Sequence, residues 1–146
     1  MKLHFQFIKT SQGKIAYVDS GGSGFPVVFI HGNSCSSEVF KTQLAHFSRQ
    51  YRIIAIDLPG HGKSDNASHT DTGYTIPGYA KTLDEVIRVL QLNQFAVVGF
   101  SLGGNIALQW TQILDRISGS KIAPWRQPLS KIVFAQAMSG SSCFNL

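Results

Sequence analysis

Phe95-Ala96-Val97-Val98-Gly99-Phe100-Ser101-Leu102-Gly103-Gly104-Asn105-Ile106-Ala107-Leu108 is the stretch on which the reading of this chain turns. A continuous apolar run, Phe95 to Val98, passes into Gly99-Phe100-Ser101-Leu102-Gly103, a match to G-x-S-x-G. A helical period follows, carried by Ile106, Trp110, Ile113 and Leu114. Glycines on both sides of a serine permit a strained turn from strand to helix that lifts the hydroxyl above a sheet. The composition predicts roughly 0.14 such matches by chance. The strand before the pentapeptide and the helix after it therefore carry the reading.

The same alternation extends towards the N-terminus. Val27-Val28-Phe29-Ile30 and Arg52-Ile53-Ile54-Ala55-Ile56 are short continuous apolar runs, the pattern of strands buried on both faces of a parallel sheet. Between them, Phe40, Leu44 and Phe47 share a helical face after Ser36 and Ser37, which can cap a helix with Glu38 in its first turn. Ala80, Leu83, Ile87 and Leu90 form a cleaner stripe, with Lys81, Asp84, Glu85, Arg88 and Gln91 on other faces. Leu3, Phe5 and Phe7, then Ile15 to Val18 beyond a turn at Gln12-Gly13, predict an N-terminal hairpin. Lys131 to Ala137 can supply a sixth strand. The fold class expected is α/β, a mostly parallel sheet with helices on both faces.

A chain of 146 residues is one domain's length, enough to bury roughly 68–70% of its unfolded surface. No apolar run reaches the ~20 residues of a membrane span, and the first residues lack the apolar stretch of a signal peptide. The expected location is cytoplasmic, with no membrane partner. The net charge of +5 is unevenly placed: nine Lys/Arg face eight Asp/Glu up to Asp115, whereas residues 116–146 hold Arg116, Lys121, Arg126 and Lys131 and no acid. Those basic residues are scattered without aromatic interleaving, so no nucleic-acid partner is expected. The division expected is 1–115 as the domain and 116–146 as a basic, Ser-rich tail. Cys35 and Cys143 form no motif, free thiols fit a reducing compartment, and no metal-ligand spacing or cofactor motif occurs.

Two further motifs accompany the serine. Val27 to Ile30 runs into His31-Gly32-Asn33, where a glycine lets the backbone turn and leaves amides directed above the strand end, as an oxyanion hole requires. The expected donors are the backbone amides of Asn33 and Leu102, the latter at a helix N-terminus. His31 is read as a ring that fixes the loop. Asp57-Leu58-Pro59-Gly60-His61-Gly62-Lys63-Ser64, dense in Pro and Gly, is a specified loop after the next strand.

In this order and spacing the three motifs resemble the N-terminal half of an α/β-hydrolase-fold serine hydrolase, over about residues 13 to 114. Tyr74 to Ala80 is also similar to small bacterial esterases and lactonases of that fold. The resemblance implies Ser101 as nucleophile, Asn33 and Leu102 as oxyanion donors, and His31, Gly32 and His61 lining the site. It implies a small acyl substrate or ligand bound as ester, thioester, lactone or amide, and no cofactor. Serine rather than aspartate at 101 argues against relatives that form alkyl-aspartate intermediates, such as dehalogenases and epoxide hydrolases.

The family orders its triad Ser, then Asp or Glu, then His. Here His4, His31, His46, His61 and His69 all precede Ser101, and Asp115 is the one carboxylate side chain after it. Asp115 is expected about 18 Å along the helix from the serine turn, too far to orient a base. His61 is the best internal substitute, although the sheet order implied by the resemblance puts a strand between its loop and Ser101. No triad acid or base is therefore identified. The expectation is a truncated hydrolase, weakly active or inactive alone, with an uncovered sheet edge open to self-association and an ending that reads as foreign beyond about Leu114. The alternative is a non-catalytic module of the same fold that binds a small acyl ligand or a protein partner.

Overall fold

The computed structural model describes residues 2–118 and 133–135, with side chains described as far as Ile113. Strands β1 (Phe5–Thr10) and β2 (Gly13–Asp19) form the antiparallel hairpin, and β3 (Phe25–Ile30), β4 (Tyr51–Ile56), β5 (Ala96–Phe100) and β6 (Val133–Ala135) complete a six-stranded sheet in the order β1-β2-β4-β3-β5-β6. β2 meets β4 antiparallel, whereas β3, β4, β5 and β6 run parallel. The sixth strand expected from Lys131 to Ala137 is thus present and lies inside the 116–146 segment. Most of that segment falls outside the described residues.

The continuous apolar runs have a direct cause. Along each central strand successive side chains point to opposite faces, and both faces are covered. Val28 and Ile30, Ile54 and Ile56, and Val97 join one core with Leu83, Ile87, Ile106 and Trp110. Phe29, Ile53 and Ala55 join a second core with Phe40 and Leu44. The first core lies under helices α3 (Ile76–Val89) and α4 (Leu102–Ser118), and the second under a 3-10 turn (Ser37–Phe40) leading into α1 (Lys41–Phe47). A single-turn helix, α2 (Thr70–Gly73), precedes α3. No helix among the described residues is long and apolar enough to cross a membrane.

Three expectations change. Phe47 is 40% exposed, because α1 ends there and only Phe40 and Leu44 reach the core. Asp84, assigned to a polar face, is buried: its carboxylate accepts from the Trp110 indole N–H (3.2 Å) and from Arg88 Nε (2.7 Å), joining α3 to α4. Cys35 is buried and disulfide-bonded rather than a free thiol, with its partner outside the described residues. Glu85, beside Asp84, ties α3 to the hairpin by accepting from Ser11 N–H (2.7 Å) and Ser11 Oγ (2.6 Å).

Helix α3 closes with Leu92 N–H on Ile87 O and Gln91 N–H on Arg88 O, and Gln91 takes φ 54°. That left-handed position normally holds glycine. Gln91→Gly is expected to raise stability by about 1 kcal/mol, read as a higher urea midpoint with unchanged slope; a lower midpoint would contradict the cap geometry.

Candidate active site

The register of β3 against β5 pairs Ile30 with Gly99, so His31-Gly32-Asn33 leaves the sheet beside Phe100, the last residue of β5, and the Ser101-Leu102 turn that follows it. They meet at Gly32: a Cβ placed there would lie 3.3 Å from Ser101 Cβ and 3.0 Å from the Phe100 ring. Ser101 itself takes φ 52°, the left-handed region, and is exposed. A non-glycine residue held there is strained by about 1–2 kcal/mol.

Close packing holds that turn. A Cβ on Gly103 would overlap Ile30 O and stand 2.8 Å from His31 O, and one on Gly99 would be 2.5 Å from Gly104 N. The first turn of α4 therefore sits directly on the ends of β3 and β5, with Gly104 N–H donating to Ser101 O (2.9 Å). As the first residue of α4, Leu102 has no residue of its own helix four places back whose carbonyl could accept its N–H. That amide lies beside Ser101 at the positive end of the helix.

His31 is fully buried. Its Nδ1–H donates to Gly32 O (2.7 Å) and its Nε2 accepts from Leu58 N–H (3.0 Å), so the ring is the neutral Nδ1–H tautomer and both nitrogens are engaged. Burial pushes its pKa down, the Gly32 carbonyl pulls it partly back up, His61 lowers it and Asp57 raises it. His61 stands with its ring 5.1 Å from that of His31 and 6.3 Å from that of Tyr79, while its Nδ1 donates to Pro59 O (3.0 Å). Strand β3 lies between β4, which carries the His61 loop, and β5, which carries Ser101. Among the described residues no histidine hydrogen-bonds to the Ser101 hydroxyl.

Asp57 holds the loop after β4. Fully buried, its carboxylate accepts from Ser37 N–H (2.7 Å) and Lys63 N–H (2.8 Å), while Ser64 Oγ donates to its backbone oxygen (2.7 Å). Sequence reading placed this loop at the sheet end but missed the Ser37 tie, which spans twenty residues and has no local signal. Asp57→Ala leaves both amides without their acceptor and is expected to cost about 2–4 kcal/mol in urea unfolding. Asp57→Asn keeps one acceptor oxygen and is expected to lose less; equal losses would refute the role of the ties. Among the described residues no group of three or more His, Cys, Asp or Glu is arranged to hold a metal ion.

A family model for the alpha/beta hydrolase fold matches residues 26–134. The chain belongs to the α/β-hydrolase-fold family. It is 34% identical over 105 residues to the AB hydrolase superfamily protein YisY of Bacillus subtilis, covering 71% of this chain and 38% of YisY. The non-heme haloperoxidase of Rhodococcus erythropolis is 36% identical over 99 residues, covering 67% of this chain and 35% of that protein. Among solved structures, the N-acyl homoserine lactonase AidH (E219G mutant with N-hexanoyl homoserine) superimposes with a TM-score of 0.73 at 40% identity, covering 77% of this chain and 41% of AidH. This α/β-hydrolase-fold chain thus spans less than half the length of each of these relatives.

Proposed function

We propose that this chain carries the nucleophile and oxyanion half of a serine hydrolase acting on small acyl substrates: esters, thioesters, lactones or amides. The observation that carries the reading is Ser101, exposed at φ 52° at the end of β5 with Gly32 packed against it. In this chemistry Ser101 Oγ attacks the acyl carbon and loses its proton to a general base. The tetrahedral oxyanion is held by the Asn33 and Leu102 amides. Its collapse expels the alcohol, thiol or amine, which takes a proton, and leaves an acyl-Ser101 ester that water then hydrolyses to the carboxylic acid. The likeness to an N-acyl homoserine lactonase supports an acyl substrate class.

Removing the base from a serine hydrolase costs on the order of 10⁶ in kcat and leaves ~10³–10⁴ over water from oxyanion donors and binding. Since both nitrogens of His31 are committed to the loops and His61 Nδ1 to the Pro59 carbonyl, this chain is expected to turn over weakly by itself. A second reading rests on that same observation: a module of this fold that binds an acyl ligand without hydrolysing it. The deciding experiment is labelling with a fluorophosphonate and mapping of the adduct by mass spectrometry. An adduct on Ser101 is expected. A chain that binds acyl ligands but takes no label would favour the binding module.

A further inference from the structure

The peptide joining Gly32 to Asn33 is pinned at its carbonyl end. His31 Nδ1–H and the Cys35 N–H both donate to the Gly32 oxygen, at 2.7 and 3.3 Å. A trans peptide is planar, so its N–H points opposite to its carbonyl. Holding the Gly32 oxygen therefore sets the direction of the Asn33 N–H. The proton that does this is itself specified from another strand: Leu58 N–H donates to His31 Nε2 at 3.0 Å, which leaves Nδ1 to carry the hydrogen of the neutral ring. Leu58 follows Asp57, whose carboxylate is fixed by Ser37 and Lys63 amides. Two hydrogen bonds through the His31 ring thus link the loop after β4 to the Gly32–Asn33 peptide.

We propose that His31 is a positioning residue for the Asn33 amide, acting only as the neutral Nδ1–H imidazole, so that protonation at Nε2 releases the loop. The proposal rests on the reading of Asn33 as an oxyanion donor. An N–H on Nε2 would confront the Leu58 N–H donor, and two donors within hydrogen-bond distance have no acceptor between them, so ring and loop must part. The titratable and charged groups facing the ring are His61 and Asp57, both on the segment after β4, with Tyr79 of α3 behind His61. Burial and His61 disfavour the imidazolium, and Asp57 opposes them. Because the folded pKa lies below the ordinary histidine value, the native contribution is complete above that value and is lost as pH falls through the folded one.

The test uses the full chain labelled with ¹⁵N, titrated from about pH 8 to about pH 4.5 across the histidine range. Long-range ¹H–¹⁵N spectra are expected to show His31 as the Nδ1–H tautomer at neutral pH. Its midpoint should fall below that of an exposed histidine, with the Asn33 and Leu58 amide resonances moving at that midpoint. The rate of fluorophosphonate labelling at Ser101 is expected to fall about ten- to a hundredfold across it, within the ~10²–10³ that one oxyanion donor contributes. His31→Gln keeps a donor and an acceptor but does not protonate, and should retain much of the neutral rate while losing this acid step. An Asn33 amide that stays still through the His31 midpoint, or an acid step that survives in His31→Gln, overturns the proposal. If Ser101 takes no label at any pH, the acyl-serine reading falls while the Asn33 titration still decides the His31 link.

Discussion

Ser101→Ala is expected to lose all fluorophosphonate labelling at position 101 and any residual esterase activity, while the fold is kept. Alanine retains Cβ and the left-handed strain but removes the oxygen that attacks. Ser101→Gly should lose the label equally and gain about 1 kcal/mol, because glycine reaches φ 52° without the Cβ penalty. A variant that is chemically inert yet more stable than its parent is what a strained functional residue predicts. The measurements are adduct mass after probe treatment and the urea midpoint. An alanine variant that labels like the parent would dismiss Ser101 as nucleophile, and a glycine variant less stable than the alanine one would dismiss the strain.

Gly103→Ala is expected to destabilise the chain by about 3 kcal/mol and to slow labelling at Ser101. The added Cβ would overlap Ile30 O and lie 2.7 Å from Ile30 C and 2.8 Å from His31 O, all backbone atoms with no rotamer to escape into. Overpacking of this kind costs about 1–3 kcal/mol and occasionally more. Alanine's better helix propensity returns only about 1 kcal/mol, so the clash decides the sign. To relieve it, α4 must move off the end of β3, which separates Leu102 from Gly32 and Asn33. Stability and labelling should therefore fall together in this variant. A more stable Gly103→Ala protein would show that helix and strand do not approach as described.

Much of the architecture was legible because local and global signals agree. The runs at Val27 to Ile30, Arg52 to Ile56 and Phe95 to Val98 are apolar on both faces since each strand feeds two cores, and G-x-S-x-G marks a turn in which Gly99 and Gly103 leave no room for a Cβ. Errors arose where periodicity speaks for a face but not for a partner. Asp84 looked like a solvent residue, yet Trp110 on another helix supplies the donor that makes its burial tolerable. Phe47 looked like a core residue, yet as the last residue of α1 it stays 40% exposed. Cys35 looked like a free thiol, because spacing between two cysteines says nothing about their separation in space.

What the sequence determined alone is the order of elements, the class of fold and the identity of Ser101 as the candidate nucleophile. Apolar period, turn chemistry and a glycine-flanked serine are all local, and each is written within a few residues. What only the tertiary structure decided is how the loops are held beside that serine: His31 on Leu58, Asp57 on Ser37, Gly103 against Ile30. These contacts join residues far apart in the chain, and their partners are backbone atoms, which every residue possesses and no residue type announces.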